Sequence, residues 1–330
     1  MSSASSPRIR ILVTGANGFV GRHLTAALAA LPDYHEIIAG IYGSKVPEPT
    51  RNMRYIQFDV TDSDQVHSII GAEQPTHLFH LAGIAAPSEA ERHIRKAWAV
   101  NFEGTLNVAL AVAETAKQCR FIFCSSSEVY GDSFRSGQPL SEEAALDPAS
   151  VYGVSKAAAD LMVGQMAKQG LRAIRLRPFN HTGPGQSELF VVPAFAFQIA
   201  AIERGEQEPL IKVGTLTDRR DFLDVGDVVN AYVQTIMCFD SLPNGCALNI
   251  ATGSAISIAE ILKIMLSLSS KKIEIVQDPV RIRKSSIPVA CGNADAARRL
   301  LGWAPRVEIA ATLASVLDWC RQVRSVNCPP

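Results

Sequence analysis

Three glycines, Gly15, Gly18 and Gly21, separate a short apolar segment from a longer amphipathic one, and this arrangement constrains the fold more than any other feature. Residues 9–14 are mostly aliphatic, which predicts a buried strand, and residues 19–31 have helical periodicity. Glycines at such a turn permit a tight bend, a close approach of the backbone to phosphate, and close packing of helix on strand. The N–H groups and the dipole of the helix then favour an anion. The segment predicts a site for a dinucleotide pyrophosphate. A ligand-free glycine turn is the alternative, which the position after the first strand disfavours.

The remainder of the first half alternates short apolar runs with amphipathic ones, a pattern typical of crossover units on a parallel sheet. Further along, a helix and a strand return to this sheet, and a smaller α/β region follows. The predicted fold class is therefore α/β, a doubly wound parallel sheet (Rossmann) with a smaller C-terminal substrate-binding region. The predicted strands are 37–42, 55–58, 76–80, 120–124, 171–177, 246–251 and 272–277, and the predicted helices are 19–31, 94–117, 148–170, 224–240 and 308–324.

This pattern also predicts two functional regions. Residues 1–178 together with 224–252 are expected to bind a dinucleotide. Residues 179–223 together with 253–330 are expected to bind the second substrate. Within the latter, 179–186 is predicted to be a turn-rich loop.

Composition excludes several classes of partner. The 32 Lys and Arg residues balance the 32 Asp and Glu residues, so no net field favours nucleic acid or an anionic membrane surface. No apolar run approaches the roughly 20 residues of a membrane span, and residues 1–7 lack the basic and apolar regions of a signal peptide. The 7 cysteines are scattered without metal-binding spacing, which is typical of reduced thiols. We therefore expect a cytoplasmic protein without a metal site.

Tyr152 and Lys156 lie four residues apart in a predicted helix, so their side chains share one face. A free phenol has a pKa of about 10, and acid–base work near neutrality requires a fall of about three units, or roughly 4 kcal/mol. A nearby ammonium, joined by an oxidised nicotinamide, is the right kind of cause. The pair therefore predicts proton transfer that accompanies hydride transfer. An ordinary surface pair is the alternative.

A serine cluster ends the predicted strand at 120–124 and faces the same crevice. A hydroxyl there can donate a hydrogen bond to a reacting carbonyl oxygen. Glu128, which follows the cluster, has three open roles: a general base, a substrate hydrogen-bonding group, or a carboxylate at a helix entry.

The nicotinamide cofactor is predicted to be NADP(H) rather than NAD(H). NAD enzymes usually place a carboxylate at the end of the second strand, and here that position lacks an acid. Arg22 and Lys45 are cations that could meet a 2′-phosphate, although both could equally be solvated surface cations. Asp59 is expected to lie on the adenine side.

These motifs make the chain resemble an extended short-chain dehydrogenase/reductase over nearly its full length. The resemblance implies that Ser126, Tyr152 and Lys156 form the catalytic group together with Glu128, and that Ser126, Ser127 and Glu128 also contact substrate. It further implies cofactor contacts from Gly15, Asn17, Gly18, Phe19, Val20, Gly21, Arg22, Asp59, Val60, Leu81, Ala82, Gly83, Asn101, Tyr152, Lys156 and Pro178.

Segments 177–186, 219–225 and 278–283 resemble GDP-6-deoxy-D-mannose reductases. By that resemblance the chain would reduce the 4-keto group of GDP-4-dehydro-6-deoxy-D-mannose to give GDP-D-rhamnose. Asn180, Arg220 and Arg283 would hold the diphosphate, unless the arginines form structural ion pairs with Asp221 or Asp278.

Related enzymes commonly pair into homodimers, so a dimer is expected. GDP-mannose 4,6-dehydratases share part of segment 177–186, and a dehydratase or a nucleotide-sugar epimerase is the alternative activity. A non-catalytic nucleotide sensor is a further alternative, which the complete Ser126, Tyr152 and Lys156 set disfavours.

Overall fold

The protein, described from a computed structural model, has an α/β architecture built around one parallel sheet. The structure describes residues 9–31, 35–43, 46, 50, 52–282 and 287–323. In chain order the strands are β1 (Ile9–Thr14), β2 (His35–Ile41), β3 (Met53–Gln57), β4 (His77–His80), β5 (Arg120–Cys124), β6 (Ala173–Pro178), β7 (Asn180–Thr182), β8 (Leu210–Val213), β9 (Arg219–Asp224), β10 (Ala247–Ile250), β11 (Ala255–Ser257), β12 (Glu274–Gln277) and β13 (Val289–Ala290).

The central sheet has seven strands in the order β10-β6-β5-β4-β1-β2-β3, and all of its pairs are parallel. The chain order reverses at β1, which pairs with β2 on one side and β4 on the other. A ligand crevice is expected beyond the carboxyl ends of the strands at this reversal. The predicted doubly wound fold class is confirmed.

Helices cover both faces of the sheet. The buried side chains of the strands divide between two large apolar clusters, one on each face. In chain order the helices are α1 (Phe19–Ala29), α2 (Ser63–Glu73), α3 (Pro87–Arg92), α4 (Ile94–Trp98), α5 (Gly104–Thr115), α6 (Val151–Lys168), α7 (Val191–Glu203), α8 (Val225–Cys238), α9 (Ile258–Ser267), α10 (Asp295–Leu301) and α11 (Ile309–Gln322).

The helix predicted at 94–117 contains a π-helical turn. Residues Ala99–Glu103 lie between α4 and α5, and the N–H of Gly104 donates to the carbonyl of Ala99, five residues earlier. One extra residue per turn disrupts the regular hydrogen-bond ladder, and such turns are frequent at functional sites. Asn101 lies inside this turn and is fully buried.

A third apolar cluster lies in the second half of the chain, among α7, α9 and α11. The turn-rich loop predicted at 179–186 instead begins with β7, which pairs with β9, so that prediction was wrong for residues 180–182. Trp303 packs in the core of the central sheet, although the predicted partition assigns it to the second region. The assignment of one function to each region stays a prediction.

None of the helices in the described part of the chain is long and apolar enough to cross a bilayer. The described cysteines are free thiols. Among the described residues there is no group of three His, Cys, Asp or Glu side chains that could hold a metal ion.

Candidate active site

The glycine loop forms a cradle in which side chains would not fit. Gly15 has a φ of +68°, and a Cβ there would lie 2.8 Å from the backbone N of Ala82. A Cβ on Gly21 would lie 2.2 Å from the carbonyl oxygen of Gly15. Gly18 caps helix α1 without a side-chain hydrogen bond to the first-turn N–H groups. A tight glycine turn at a helix N-terminus could hold the pyrophosphate of a dinucleotide.

We expect Gly21→Ala to destabilise the protein and to weaken cofactor binding, because the new methyl group would meet backbone rather than movable side-chain atoms. Overpacking of this kind costs about 1–3 kcal/mol. Urea unfolding and fluorescence titration with NADPH measure the two effects. Gly71→Ala in α2 is the control, since its Cβ would make an ordinary 3.6 Å contact with Thr115 and should raise stability slightly. Equal behaviour of the two variants would contradict the expectation.

Arg22, a predicted 2′-phosphate contact, is engaged by backbone carbonyls. Its guanidinium donates to the carbonyl of Gly185 at 2.9 Å and to that of Asn17 at 3.3 Å. Phe19, at the start of α1, stacks on His181 with ring centroids 6.2 Å apart. These contacts fasten β7 and the segment after it to the glycine loop and the start of α1. Lys45 lies outside the described residues.

The other predicted cofactor residues lie at the same edge of the sheet. Asn17 donates to the carbonyl of Tyr42 at the end of β2, and the Asp59 carboxylate accepts from the backbone and hydroxyl of Thr61. Val60 is buried against Gly104. Among the remaining ones, Val20 lies in the first turn of α1, Leu81, Ala82 and Gly83 follow β4, and Pro178 ends β6.

Asn101 joins the strand edge to helix α6. Its side-chain oxygen accepts from the N–H of Ile84 at 2.8 Å, and its amide nitrogen donates to the Ser155 hydroxyl at 3.0 Å. A Cβ on Gly83 would lie 3.1 Å from the same side-chain oxygen. Since Ser155 lies between Tyr152 and Lys156 in α6, these contacts bring the helix next to the loop after β4.

Tyr152 lies in the first turn of α6 beside the serine cluster. Ser150 caps the helix and accepts from the N–H of Gly153. Burial raises the pKa of Tyr152, a hydrogen bond from Ser126 opposes the rise, and the negative charge of Glu128 adds to it. The prediction that Lys156 lowers the phenol pKa is therefore wrong for these protein groups, which together raise it. The phenol stays protonated at neutral pH, the form required of a proton donor.

Lys156 is buried one turn after Tyr152. Its Nζ donates to the carbonyl oxygen of Cys124 at 2.5 Å and lies 4.4 Å from the centroid of the Phe123 ring. Burial lowers the pKa of Lys156 to about 8, although Cys124 and Asp160 favour the charged form. The end of β5 thus holds the ammonium against the sheet.

Ser127 and Glu128 lie in a short 3₁₀ turn, Ser127–Val129, just after β5. Ser126 caps this turn by accepting from the N–H of Glu128 at 3.1 Å. Ser127 is buried, whereas Glu128 is partly exposed and close enough to influence Tyr152. The helix-entry role foreseen for Glu128 is therefore compatible with a substrate contact.

The substrate-side residues lie on two paired strands. Asn180 on β7 pairs in register with Phe222 on β9, and Arg220 lies two residues before Phe222. Because side chains alternate along a strand, Arg220 and Phe222 point to the same face of β9. Arg220 forms an ion pair with Asp218 at 3.2 Å, not with Asp221. Arg283 lies outside the described residues.

The sequence patterns missed a buried polar network behind α6. Asp160 is fully buried and accepts from Arg177 at 2.8 and 3.0 Å and from Arg175 at 2.6 Å. Arg177 also donates to the hydroxyl of Tyr130 at 3.0 Å. A signal existed: Asp160 follows Lys156 by four residues and therefore lies on the inward face of the helix.

Comparison with known proteins gives a family and close relatives. Residues 11–251 match the NAD dependent epimerase/dehydratase family. The chain is 34% identical over 317 residues to the GDP-6-deoxy-D-mannose reductase of Pseudomonas aeruginosa, covering 96% of this chain and 98% of that protein.

Two solved structures have the same fold throughout. The structure of RMD from Pseudomonas aeruginosa complexed with NADPH has a TM-score of 0.83 and 31% identity, covering 95% of this chain and 99% of that chain. MoeE5 in complex with UDP-glucuronic acid and NAD has a TM-score of 0.80 and 28% identity, with the same two coverages.

Proposed function

Because the chain belongs to the NAD-dependent epimerase/dehydratase family, we propose that it is the reductase that converts GDP-4-dehydro-6-deoxy-D-mannose to GDP-D-rhamnose. It is an NAD(P)-dependent oxidoreductase that acts on a nucleotide sugar. The choice of a GDP-linked substrate rests on the 34% identity to a GDP-6-deoxy-D-mannose reductase along almost the entire chain.

One observation carries the chemistry: Tyr152, whose phenol is kept protonated by burial, lies beside Ser126 at the strand edge that also carries the glycine cradle. The bound nicotinamide would supply the hydride for the keto carbon. Tyr152 donates the proton that the developing alkoxide needs, and Ser126 orients the same oxygen through its hydroxyl. Lys156 provides a fixed positive charge one helical turn away.

Asn180 and Arg220 are proposed to hold the nucleotide diphosphate, together with Arg283. A protein without net charge must bind a pyrophosphate through local cations and amides, and bidentate arginine is well suited to phosphate. Arg220 already has Asp218 as a partner, so substrate phosphate would share or replace that ion pair.

NADPH is the proposed cofactor. The end of β2 carries the exposed Tyr42 instead of the carboxylate that usually binds the ribose of NAD. The RMD structure contains NADPH, whereas MoeE5 contains NAD. Arg22 would need to exchange part of its bonding to Gly185 or Asn17 for a 2′-phosphate.

A 4,6-dehydratase is the second candidate, and the position of Glu128 favours it. That reaction needs a base at carbon 5 of the sugar, and this carboxylate lies near Tyr152. Two incubations separate the activities. Stoichiometric loss of NADPH with GDP-4-dehydro-6-deoxy-D-mannose supports the reductase. Conversion of GDP-mannose without net change in cofactor supports the dehydratase and would overturn the reductase proposal.

Turnover is expected to fall as pH rises through about 8, because the buried Lys156 has a pKa lowered to about 8 and loses its charge there. The Tyr152 phenol keeps its proton beyond this range. The pH profile of kcat between 6 and 10 tests this. The control is Lys168→Met at the exposed end of α6, which should leave the fall near pH 8 unchanged. A flat profile to pH 10 would contradict the assignment of the charge to Lys156.

The proposed assembly is a cytoplasmic homodimer paired through α5 and α6. These helices expose Leu110, Val154 and Leu161 to solvent. Apolar side chains on adjacent helices favour pairing with a second copy. We expect Leu161→Glu to convert the dimer to a monomer in light scattering. A monomeric unsubstituted protein would contradict this proposal.

The proposed cytoplasmic location is supported by the free thiols of the described cysteines, which fit a reducing compartment.

A further inference from the structure

A fully buried histidine joins two threonines beneath the proposed site. His80, the last residue of β4, contacts the Thr14 hydroxyl through Nδ1 at 2.9 Å and the Thr105 hydroxyl through Nε2 at 3.0 Å. All three side chains are 0% exposed. Thr14 is the residue before the glycine cradle, and Thr105 lies in the first turn of α5.

Donor and acceptor counts fix the direction of these bonds. Thr14 Oγ1 accepts from the N–H groups of Leu81 and Ala82, both at 3.2 Å, so its own proton is left for His80 Nδ1. The Thr105 hydroxyl donates to the carbonyl of Asn101 at 2.7 Å, so it accepts from Nε2. Both ends therefore require the tautomer of His80 that carries its proton on Nε2.

The connection continues from Asn101 to the catalytic helix. The Asn101 amide donates to the Ser155 hydroxyl at 3.0 Å, and Ser155 donates to the carbonyl of Tyr152 at 2.9 Å. Asn101 and Ser155 are also 0% exposed. Four further buried side chains, those of His80, Thr105, Asn101 and Ser155, thus connect Thr14 to the turn of α6 that carries the phenol. The link from Thr105 to Asn101 is made through the Asn101 backbone carbonyl.

His80 is neutral in this arrangement. Its ring stacks on both Phe121 and Phe123, with each ring centroid 6.1 Å away. Burial, helped by the nearby Lys156 charge, lowers the pKa of His80 to about 3. The imidazole keeps one donor and one acceptor at every pH at which the enzyme would work, so it suits positioning rather than proton transfer.

We propose that Thr14, His80, Thr105, Asn101 and Ser155 form one directional hydrogen-bonded chain through which the glycine-loop edge orients the Tyr152 turn, with His80 as its central positioning residue. The proposal extends the proposed reductase function, since its catalytic consequence acts through Tyr152. Buried networks that are completely satisfied rigidify their surroundings, and loss of one link affects the geometry beyond it.

Amide hydrogen exchange tests the chain without any substrate. Thr105→Val removes one hydroxyl and preserves the shape of the side chain. We expect amides of residues 151–156 to exchange about five- to tenfold faster, while α8 is unchanged. Thr235→Val in α8 is the matched control, because Thr235 is also 0% exposed and donates to the carbonyl four residues earlier, at 2.8 Å. Unchanged exchange at 151–156, or a uniform increase across the protein, would overturn the proposal.

Turnover provides the second readout. Thr105→Val and Ser155→Ala should each lower kcat about tenfold and leave the Kd for NADPH within about twofold. His80→Asn keeps an acceptor near Nδ1 but is too short to donate to Thr105, so it should match Thr105→Val. The Thr105→Val/Ser155→Ala double variant should be no slower than the slower single variant. If the losses of kcat in the two single variants multiply in the double variant, the two residues act independently and the proposed hydrogen-bonded chain is wrong. If the unsubstituted protein has no reductase activity, the proposed reductase function is wrong. Amide hydrogen exchange would still test the hydrogen-bonded chain in that case.

Discussion

Tyr152→Phe is expected to lower turnover by about 10²–10⁴-fold, the usual contribution of a positioned general acid. The substitution removes only the hydroxyl, and the burial of the ring is retained. That hydroxyl is the group whose pKa is raised by burial, with Ser126 as the neighbour that opposes the rise. The hydride donor would remain bound, because the glycine cradle is built from other elements. Single-turnover oxidation of NADPH at saturating substrate measures the chemical step directly.

Binding must survive in this variant for the result to be informative. The Kd for NADPH should stay within about threefold, since a lost hydroxyl affects the transition state more than the bound ground state. Tyr55→Phe on β3 is the control, because Tyr55 is also a partly buried tyrosine but lies far along the sheet from α6. Near-normal turnover in Tyr152→Phe would remove this phenol from the mechanism and leave Ser126 or Glu128 as the proton donor.

The sequence was most informative where a predicted site depends on local spacing. Gly15, Gly18 and Gly21 could be assigned from their position between a strand and a helix, because a tight turn and a close approach require glycine. Tyr152 and Lys156 could be assigned to one helical face from their four-residue separation. Such arguments need only a few consecutive residues, and the structure confirms the strand, the helices and the shared edge of the sheet.

Contacts between distant segments were not predictable in this way. Lys156 donates to a carbonyl of β5, and the partner of Arg22 is a carbonyl 163 residues away in the sequence. Backbone carbonyls carry no residue-specific signal. The ion pair of Arg220 with Asp218 depends on side-chain rotamers, which spacing does not determine. Helix α7 is apolar around most of its circumference, so no clear periodicity marked it.

Asp160 illustrates how a residue outside the reacting center supports the proposed site. It lies two helical turns after Tyr152, and its carboxylate joins α6 to Arg175 and Arg177 of β6. Burial opposes ionisation of Asp160, but the hydrogen bonds and charge of Arg177 hold its pKa below the ordinary value. Its contribution to stability is therefore full above the unfolded pKa of about 3.9 and is lost as pH falls through the folded pKa.

Asp160→Asn should lower the free energy of unfolding at pH 7 by about 3–5 kcal/mol, since it leaves the buried guanidinium of Arg177 without its counter-charge. Urea denaturation at pH 7 measures the loss. Asp295→Asn is the control: it breaks an exposed ion pair with Arg298 and should cost at most about 1 kcal/mol. The difference in stability between Asp160→Asn and the unsubstituted protein should shrink in acid, where Asp160 is itself protonated. A loss below about 1 kcal/mol would mean that Arg177 is compensated elsewhere, through Tyr130 and the carbonyl of Glu142.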